Sequence, residues 1–170
     1  MNGNPVMKKL AIIGAGIAGL SCAKELQSHG ISVDIFEKSR GPSGRMSTRR
    51  TPDWSADHGA QYFTARDPRF IQEVQHWINT GSAAAWEPKL KVYEARLWRD
   101  TNSPEIRYVG TPNMNSPGKL LAEELSIQYE TTISQLQLRS GKWHLQCSET
   151  SNIPTPYDFV VLAIPAPQAS

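Results

Sequence analysis

Three closely spaced glycines in the stretch AIIGAGIAGLSCAKEL, residues 11–26, constrain the fold of this chain more than any other feature. Gly14, Gly16 and Gly19 follow an apolar run that predicts a buried strand over Lys9–Ile13, and helix-forming residues come after them. In such a turn the first glycine takes a sharp bend, the second leaves room beside the backbone, and the third lets the helix pack closely on the strand. Free N–H groups at the helix start favour an anion. The pattern predicts a phosphate-binding turn, with a ligand-free glycine turn as the alternative.

A second apolar run over 31–36 predicts another buried strand, which ends at Glu37. Glu37 lies 18 positions after Gly19, close to the spacing at which a carboxylate accepts hydrogen bonds from the ribose of an adenine dinucleotide. A strand–helix–strand unit closed by an acid is a much more specific signal than the glycines alone. We therefore predict an α/β, Rossmann-like dinucleotide-binding domain with a parallel sheet.

Composition narrows the functional classes. With 170 residues, 39% of them hydrophobic, the chain is long enough to bury a core. A net charge of +2 with scattered basic residues gives no reason to expect nucleic acid. Two cysteines indicate a reduced compartment, and no signal peptide or membrane-spanning run is recognised, so we expect a cytoplasmic protein. The four histidines lack metal-ligand spacing, and we predict no metal site.

After Glu37 the chain departs from a simple nicotinamide-binding pattern. KSRGPSGRMSTRR, residues 38–50, is rich in Gly, Ser and Arg, and DWSADHGAQYF follows over 53–63. One interpretation is a solvated, flexible loop. In the other, Gly44 and Arg45 bring backbone and a guanidinium to the phosphates of an extended dinucleotide, because the rigid donor fork of arginine matches phosphate oxygens.

Taken together, GAGIAG (14–19), Glu37, GPSGRMSTRR (41–50), DHGAQYF (57–63) and YDFVVLAIPAPQA (157–169) resemble the FAD-dependent amine-oxidase-like flavoproteins, most closely their renalase-like branch. The resemblance implies FAD as the cofactor. It assigns to the cofactor the glycine-turn residues Gly14, Ala15, Gly16, Ile17, Ala18 and Gly19, then Glu37 at the ribose, Lys38 and Ile133 near the adenine, Gly44 and Arg45 near the phosphates, and Gly59, Ala60, Gln61, Tyr62 and Ala163 on the flavin side.

The remaining sequence predicts how the elements are distributed. Residues 1–66 and 110–170 are assigned to an incomplete FAD/NAD(P)-binding domain with a β-meander, and 67–109 to part of an inserted α+β region on the substrate side. A helix capped by Asp67 has an apolar face, and strands are predicted at 89–98 and 105–109. The prediction continues with a short helix over 116–126, a strand from Ile127 and a hairpin turning at Ser140 and Gly141. It ends with an apolar strand over 159–164 that no helix follows. The predicted apolar face of the helix capped by Asp67 consists of Phe70, Ile71, Val74, Trp77 and Ile78.

The resemblance implies a flavin that accepts a hydride from a dihydronicotinamide or an amine-type small-molecule substrate, and we name no catalytic side chain. Members of the family are longer, so we interpret the chain as an amino-terminal portion that is a poor oxidase alone. A second polypeptide or self-association would complete it. Two alternatives stay open: an NAD(P)-dependent dehydrogenase, and a non-catalytic dinucleotide-binding half of a split flavoprotein.

Overall fold

The computed structural model describes residues 8–100, 105–149 and 153–169. In chain order the strands are β1 (Lys9–Ile13), β2 (Ser32–Phe36), β3 (Thr48–Arg50), β4 (Ser55–Asp57), β5 (Phe63–Thr64), β6 (Ala83–Trp86), β7 (Lys91–Glu94), β8 (Leu97–Asp100), β9 (Arg107–Gly110), β10 (Ile127–Gln128), β11 (Ile133–Arg139), β12 (Lys142–Cys147) and β13 (Phe159–Leu162). The helices are α1 (Ile17–Ser28), α2 (Pro68–Asn79), α3 (Ser116–Ala122) and α4 (Ala166–Ala169).

The chain divides into two compact units. The first contains the described residues up to Met46 and from Gly118 onward, and the second is Ser47–Pro117. The domain boundaries predicted from the sequence, at 66/67 and 109/110, both lie within the second unit. The assignment of one domain to the cofactor and the other to the substrate stays a prediction.

The first unit is built on a parallel sheet with the strand order β10-β2-β1-β13. In β1, residues 10–13 are all buried, as expected for a central parallel strand covered on both faces. The helix α1 connects β1 to β2 and ends where His29 and Gly30 donate their N–H groups to Leu26 and Gln27. The predicted α/β class with a parallel sheet is confirmed.

Along the chain, a hairpin separates the parallel strands β10 and β13. Its strands, β11 and β12, are joined at Ser140 and Gly141, whose φ angles are 49° and 76°. Positive φ at both central residues is the geometry that two-residue hairpin turns require, so the predicted turn is confirmed. The prediction that no helix follows the last strand is wrong, because α4 begins four residues after β13.

The core of the second unit forms between α2 and the three-stranded antiparallel sheet β5-β9-β6. Asp67 caps α2 by accepting a hydrogen bond from the N–H of Arg69, as predicted. Val74 and Trp77 are buried, but Ile71 is 44% exposed, so the predicted apolar face is wrong at that position. The buried stripe of α2 is therefore narrower than the hydrophobic pattern indicates.

Two other predictions in the second unit and at its boundary need correction. The strand predicted over 89–98 is a hairpin, β7 and β8, which turns at Ala95 and Arg96 with φ angles of 50° and 63°. The strand β6, which pairs with β9, was not predicted because its three alanines carry little strand signal. The helix α3 ends at Ala122 rather than near 126, and Glu124 has a φ of 64° just beyond it.

Candidate dinucleotide-binding site

The glycine turn between β1 and α1 uses each glycine differently. Gly14 has a φ of 104°, and a Cβ there would lie 2.8 Å from the Ala163 carbonyl oxygen. A Cβ on Gly19 would lie 2.1 Å from the Gly14 carbonyl oxygen, so the helix can pack this closely only without a side chain. A Cβ on Gly16 would meet nothing within 4 Å. Packing therefore requires the first and third glycines, while the second leaves open space beside the backbone.

Glu37 is buried directly after β2, with 7% of its surface exposed. Its Oε2 accepts a hydrogen bond from the Ala15 N–H at 2.8 Å, and its Oε1 accepts one from the Ser39 N–H at 2.8 Å. An ionised carboxylate has about four acceptor positions, so each oxygen retains capacity for a further donor. Burial, and then the charge of the Glu37 carboxylate, raises the pKa of the Tyr129 phenol.

A cavity of about 270 Å³ lies beside this carboxylate within the first unit. Its lining includes Gly14, Glu37, Lys38 and Ile133, four residues that the sequence analysis assigned to the cofactor. The Lys38 Nζ donates to Gln168 Oε1 at 3.0 Å. The structure therefore brings together one end of the glycine turn, the acid and both residues assigned to the adenine.

The loop after β2 folds back onto the glycine turn. The Ser43 N–H donates to the Ala15 carbonyl oxygen at 2.8 Å, and a Cβ on Gly44 would lie 3.2 Å from the Cα of Gly16. Gly44 has a φ of 53°, in the left-handed region that favours glycine. Arg45 follows in a short 3₁₀ turn, and its side chain is exposed. The arginine loop therefore packs against Gly16 at Gly44, and the guanidinium of Arg45 stays accessible.

Other predicted site residues lie outside the cavity lining. Ile17 and Ala18 begin α1, and Ala18 is exposed. The N–H of Ala163 donates to the Ile13 carbonyl oxygen at 2.9 Å, which holds the end of β13 against the end of β1. Gly59, Ala60, Gln61 and Tyr62 belong to the second unit, and their place near a flavin ring stays a prediction.

Sequence reasoning missed several residues around the carboxylate and the cavity: Ser39, Thr131, Thr132 and Gln168. Thr131 reaches the site because β10 pairs with β2, and its N–H donates to the Glu37 carbonyl oxygen at 3.0 Å. That pairing joins segments about 90 positions apart, so no local spacing could have indicated it. Gln168 lies on α4, the helix that was not predicted.

The described residues contain neither a candidate metal site nor a candidate membrane-spanning helix. Across 8–100, 105–149 and 153–169, no group of three or more His, Cys, Asp or Glu residues could hold a metal ion. In the same ranges, no helix has the length and hydropathy needed to cross a membrane.

Comparison with known proteins supports the fold. Residues 12–77 match the model of the NAD(P)-binding Rossmann-like domain family. The tRNA 5-methylaminomethyl-2-thiouridine biosynthesis bifunctional protein MnmC of Magnetococcus marinus is 41% identical over 81 residues, which covers 41% of this chain and 12% of that protein. The flavin-dependent L-tryptophan oxidase RebO of Lentzea aerocolonigenes is 28% identical over 120 residues, covering 71% of this chain and 24% of the oxidase.

Two solved structures extend the likeness over most of the described chain. A Photorhabdus luminescens protein described as a FAD-containing monooxygenase superposes with a TM-score of 0.62 at 18% identity, covering 92% of this chain and 39% of its own. A double mutant of putrescine oxidase, made in a redesign of cofactor binding, gives 0.72 at 12% identity, covering 93% and 58%. The chain spans less than two thirds of each of these relatives. It carries a Rossmann-like α/β fold with a parallel sheet, and shares that fold with these two oxidoreductases.

Proposed function

We propose that this chain is the dinucleotide-binding part of a FAD-dependent oxidoreductase of the amine-oxidase type. The observation that carries the proposal is the buried Glu37 carboxylate, held by the N–H groups of Ala15 and Ser39 beside a glycine turn that is open only at Gly16. A flavin-dependent oxidase among the relatives and a FAD-containing protein among the similar structures support FAD as the dinucleotide.

The residues present fit an adenine dinucleotide. A pyrophosphate needs close approach to backbone N–H groups, and the space beside Gly16 at the start of α1 provides it. The ribose hydroxyls need an acceptor, and Glu37 has lone pairs to spare. The cavity beside Glu37 offers the apolar side chain of Ile133 and the ammonium of Lys38 to the adenine end.

Bound FAD would supply the redox chemistry, in which its ring system accepts a hydride. This chain's own contribution is binding and orientation. Glu37 fixes the ribose end, because its carboxylate is itself held in place by two backbone N–H groups. Gly16 lets the backbone approach the pyrophosphate, and the exposed guanidinium of Arg45 provides a positive charge for a phosphate oxygen.

We further propose that the chain belongs to the renalase-like branch, takes a dihydronicotinamide or amine-type substrate, and is cytoplasmic. The motifs support the branch and the substrate, and the low cysteine content supports the location. We also propose that a second polypeptide or a second copy completes the fold. The supporting observation is the exposure of Phe159 and Leu162 on β13, 48% and 44%, at the edge of the parallel sheet. The mass of the purified species, measured with oxygen consumption in excess FAD, tests this part. Sustained turnover by a monomer would contradict it.

The cofactor proposal is tested by the visible absorbance spectrum of the purified chain and by separate titrations with FAD and NAD. We expect FAD to bind. Gly16→Val should weaken FAD binding more than tenfold, where tenfold corresponds to about 1.4 kcal/mol, because the new side chain occupies the open space beside the backbone. Gly41→Val is the matched control, since a Cβ there also meets nothing within 4 Å. Tight NAD binding without any FAD binding would overturn the proposal in favour of a nicotinamide-dependent dehydrogenase.

A further inference from the structure

The three-stranded sheet of the second unit has two different faces. On one face Phe63 and Tyr108 stack with ring centroids 5.7 Å apart, and Phe63 packs against Trp77 of α2. Side chains alternate along a strand, so the neighbours of Tyr108 and Phe63 point the opposite way. Register pairing places Arg107 directly beside Trp86 on that opposite face.

An aromatic pair adjoins this arginine. The rings of Tyr62 and Trp86 lie 5.9 Å apart, and the guanidinium carbon of Arg107 lies 5.3 Å from the centre of the Tyr62 ring. Tyr62 is 43% exposed and Trp86 is 40% exposed, so both rings present apolar surface to solvent next to a positive charge. None of these three side chains belongs to the core, which forms between α2 and the other face of the sheet.

The guanidinium of Arg107 has unused hydrogen-bonding capacity. Within the described parts of the chain, its Nε is buried without a partner, and its Nη1 makes a single hydrogen bond, at 3.5 Å, to the Glu105 carbonyl oxygen. The Glu105 carboxylate is bound instead by Arg66, at 2.7 and 2.6 Å. A guanidinium can hold a carboxylate through two parallel hydrogen bonds, and the Nη groups of Arg107 are the donors left for one, because Nε is closed to solvent.

We propose that Tyr62, Trp86 and Arg107 form a binding site for a small aromatic carboxylate, with the ring on the aromatic pair and the carboxylate on the guanidinium. Two tilted rings that expose apolar surface beside a guanidinium are a combination that can orient such a ligand. The use of this site for the substrate of an oxidation rests on the proposed function. Binding itself does not, because all three residues lie in the second unit and only Tyr62 was assigned to the cofactor, on its flavin side.

The test measures binding of phenylacetate and of its neutral analogue phenylacetamide to the full chain without FAD, by calorimetry. We expect the chain to bind phenylacetate at least tenfold more tightly than phenylacetamide, and Arg107→Gln to remove that preference. Arg99→Gln is the matched control, because Arg99 is an exposed arginine of the same unit, paired with Glu94. Trp86→Ala should weaken both ligands alike, since the ring contact is common to them.

Arg107→Lys covers the case in which Arg107→Gln fails to fold, because it retains the charge but not the planar fork. It should keep part of the preference for phenylacetate. The proposal is overturned if the unmodified chain does not bind phenylacetate. It is also overturned if a folded Arg107→Gln or Arg107→Lys variant prefers phenylacetate over phenylacetamide as strongly as the unmodified chain does. If phenylacetate binds as expected while FAD does not, the proposed function fails and this inference stands.

Discussion

The glycine turn of the first unit and the aromatic–arginine face of the second unit are two candidate binding sites built in opposite ways. At the turn, the groups proposed to bind are backbone N–H groups and one buried acid, and the atoms nearest to a Cβ on Gly14 or Gly19 are backbone carbonyl oxygens. On the second site, the binding groups are partly exposed side chains on a face that α2 does not cover. The difference teaches that packing at Gly14 and Gly19 fixes the backbone of the turn, whereas the side chains of the second site lie outside the core that α2 forms.

The largest effect should come from the buried face of the second unit. Trp77→Ala removes a fully buried indole that packs on Phe63 and Phe70 and donates to Glu73 Oε1 at 2.7 Å. We expect a loss of about 3–5 kcal/mol in the free energy of unfolding, measured by chemical denaturation.

Trp98→Ala is the control for this substitution, because Trp98 is 68% exposed on β8. It should change stability by less than about 0.5 kcal/mol. Equal losses for the two variants would show that the helix-covered face does not carry the stability of the second unit.

An intermediate effect is expected at the turn itself. Gly19→Ala places a Cβ 2.1 Å from the Gly14 carbonyl oxygen, a backbone atom that cannot rotate away. The loss should be about 1–3 kcal/mol, as in other overpacked sites, measured by thermal unfolding. Gly16→Ser should leave stability unchanged or slightly raised, because Gly16 is the N-cap of α1 and Ser is favoured there. If Gly16→Ser destabilised the chain as much as Gly19→Ala, the distinction between packed and open glycines would fail.

The smallest effect concerns Tyr157, a buried residue of the first unit. Burial, and then its hydrogen bond to Asp34 Oδ2 at 2.8 Å, raises the pKa of this phenol above the ordinary value of 10.0. Above pH 10 the unfolded chain releases this proton while the folded chain retains it, so stability present below pH 10 is lost as the pH rises.

Tyr157→Phe should cost about 1 kcal/mol at pH 7, because Lys9 still pairs with Asp34 at 2.9 Å. It should also flatten the decline above pH 10, measured by urea denaturation at pH 8, 10 and 11. If the unmodified chain and Tyr157→Phe lost stability equally above pH 10, Tyr157 would not be the cause of the decline.

What the sequence could and could not predict follows the same contrast. The glycine turn and Glu37 were found because their spacing is local and each step has a backbone reason. The hairpin of β7 and β8 was read as one strand because its turn, Ala95 and Arg96, contains neither Gly nor Asn. Arg107 was not recognised because only strand pairing brings it beside Trp86. Contacts between distant segments are fixed by tertiary structure, which a single sequence shows poorly.

The central claim is that the buried acid after β2 binds an adenine dinucleotide, and the most direct measurement is the FAD affinity of Glu37→Gln against the unmodified chain by flavin fluorescence. Hydrogen bonds to a charged acceptor contribute ~1.5–3 kcal/mol, so Glu37→Gln should weaken FAD binding more than tenfold. Glu123→Gln, which removes an exposed acid of the first unit, should bind FAD like the unmodified chain. A folded Glu37→Gln variant that binds FAD as tightly as the unmodified chain would contradict the account.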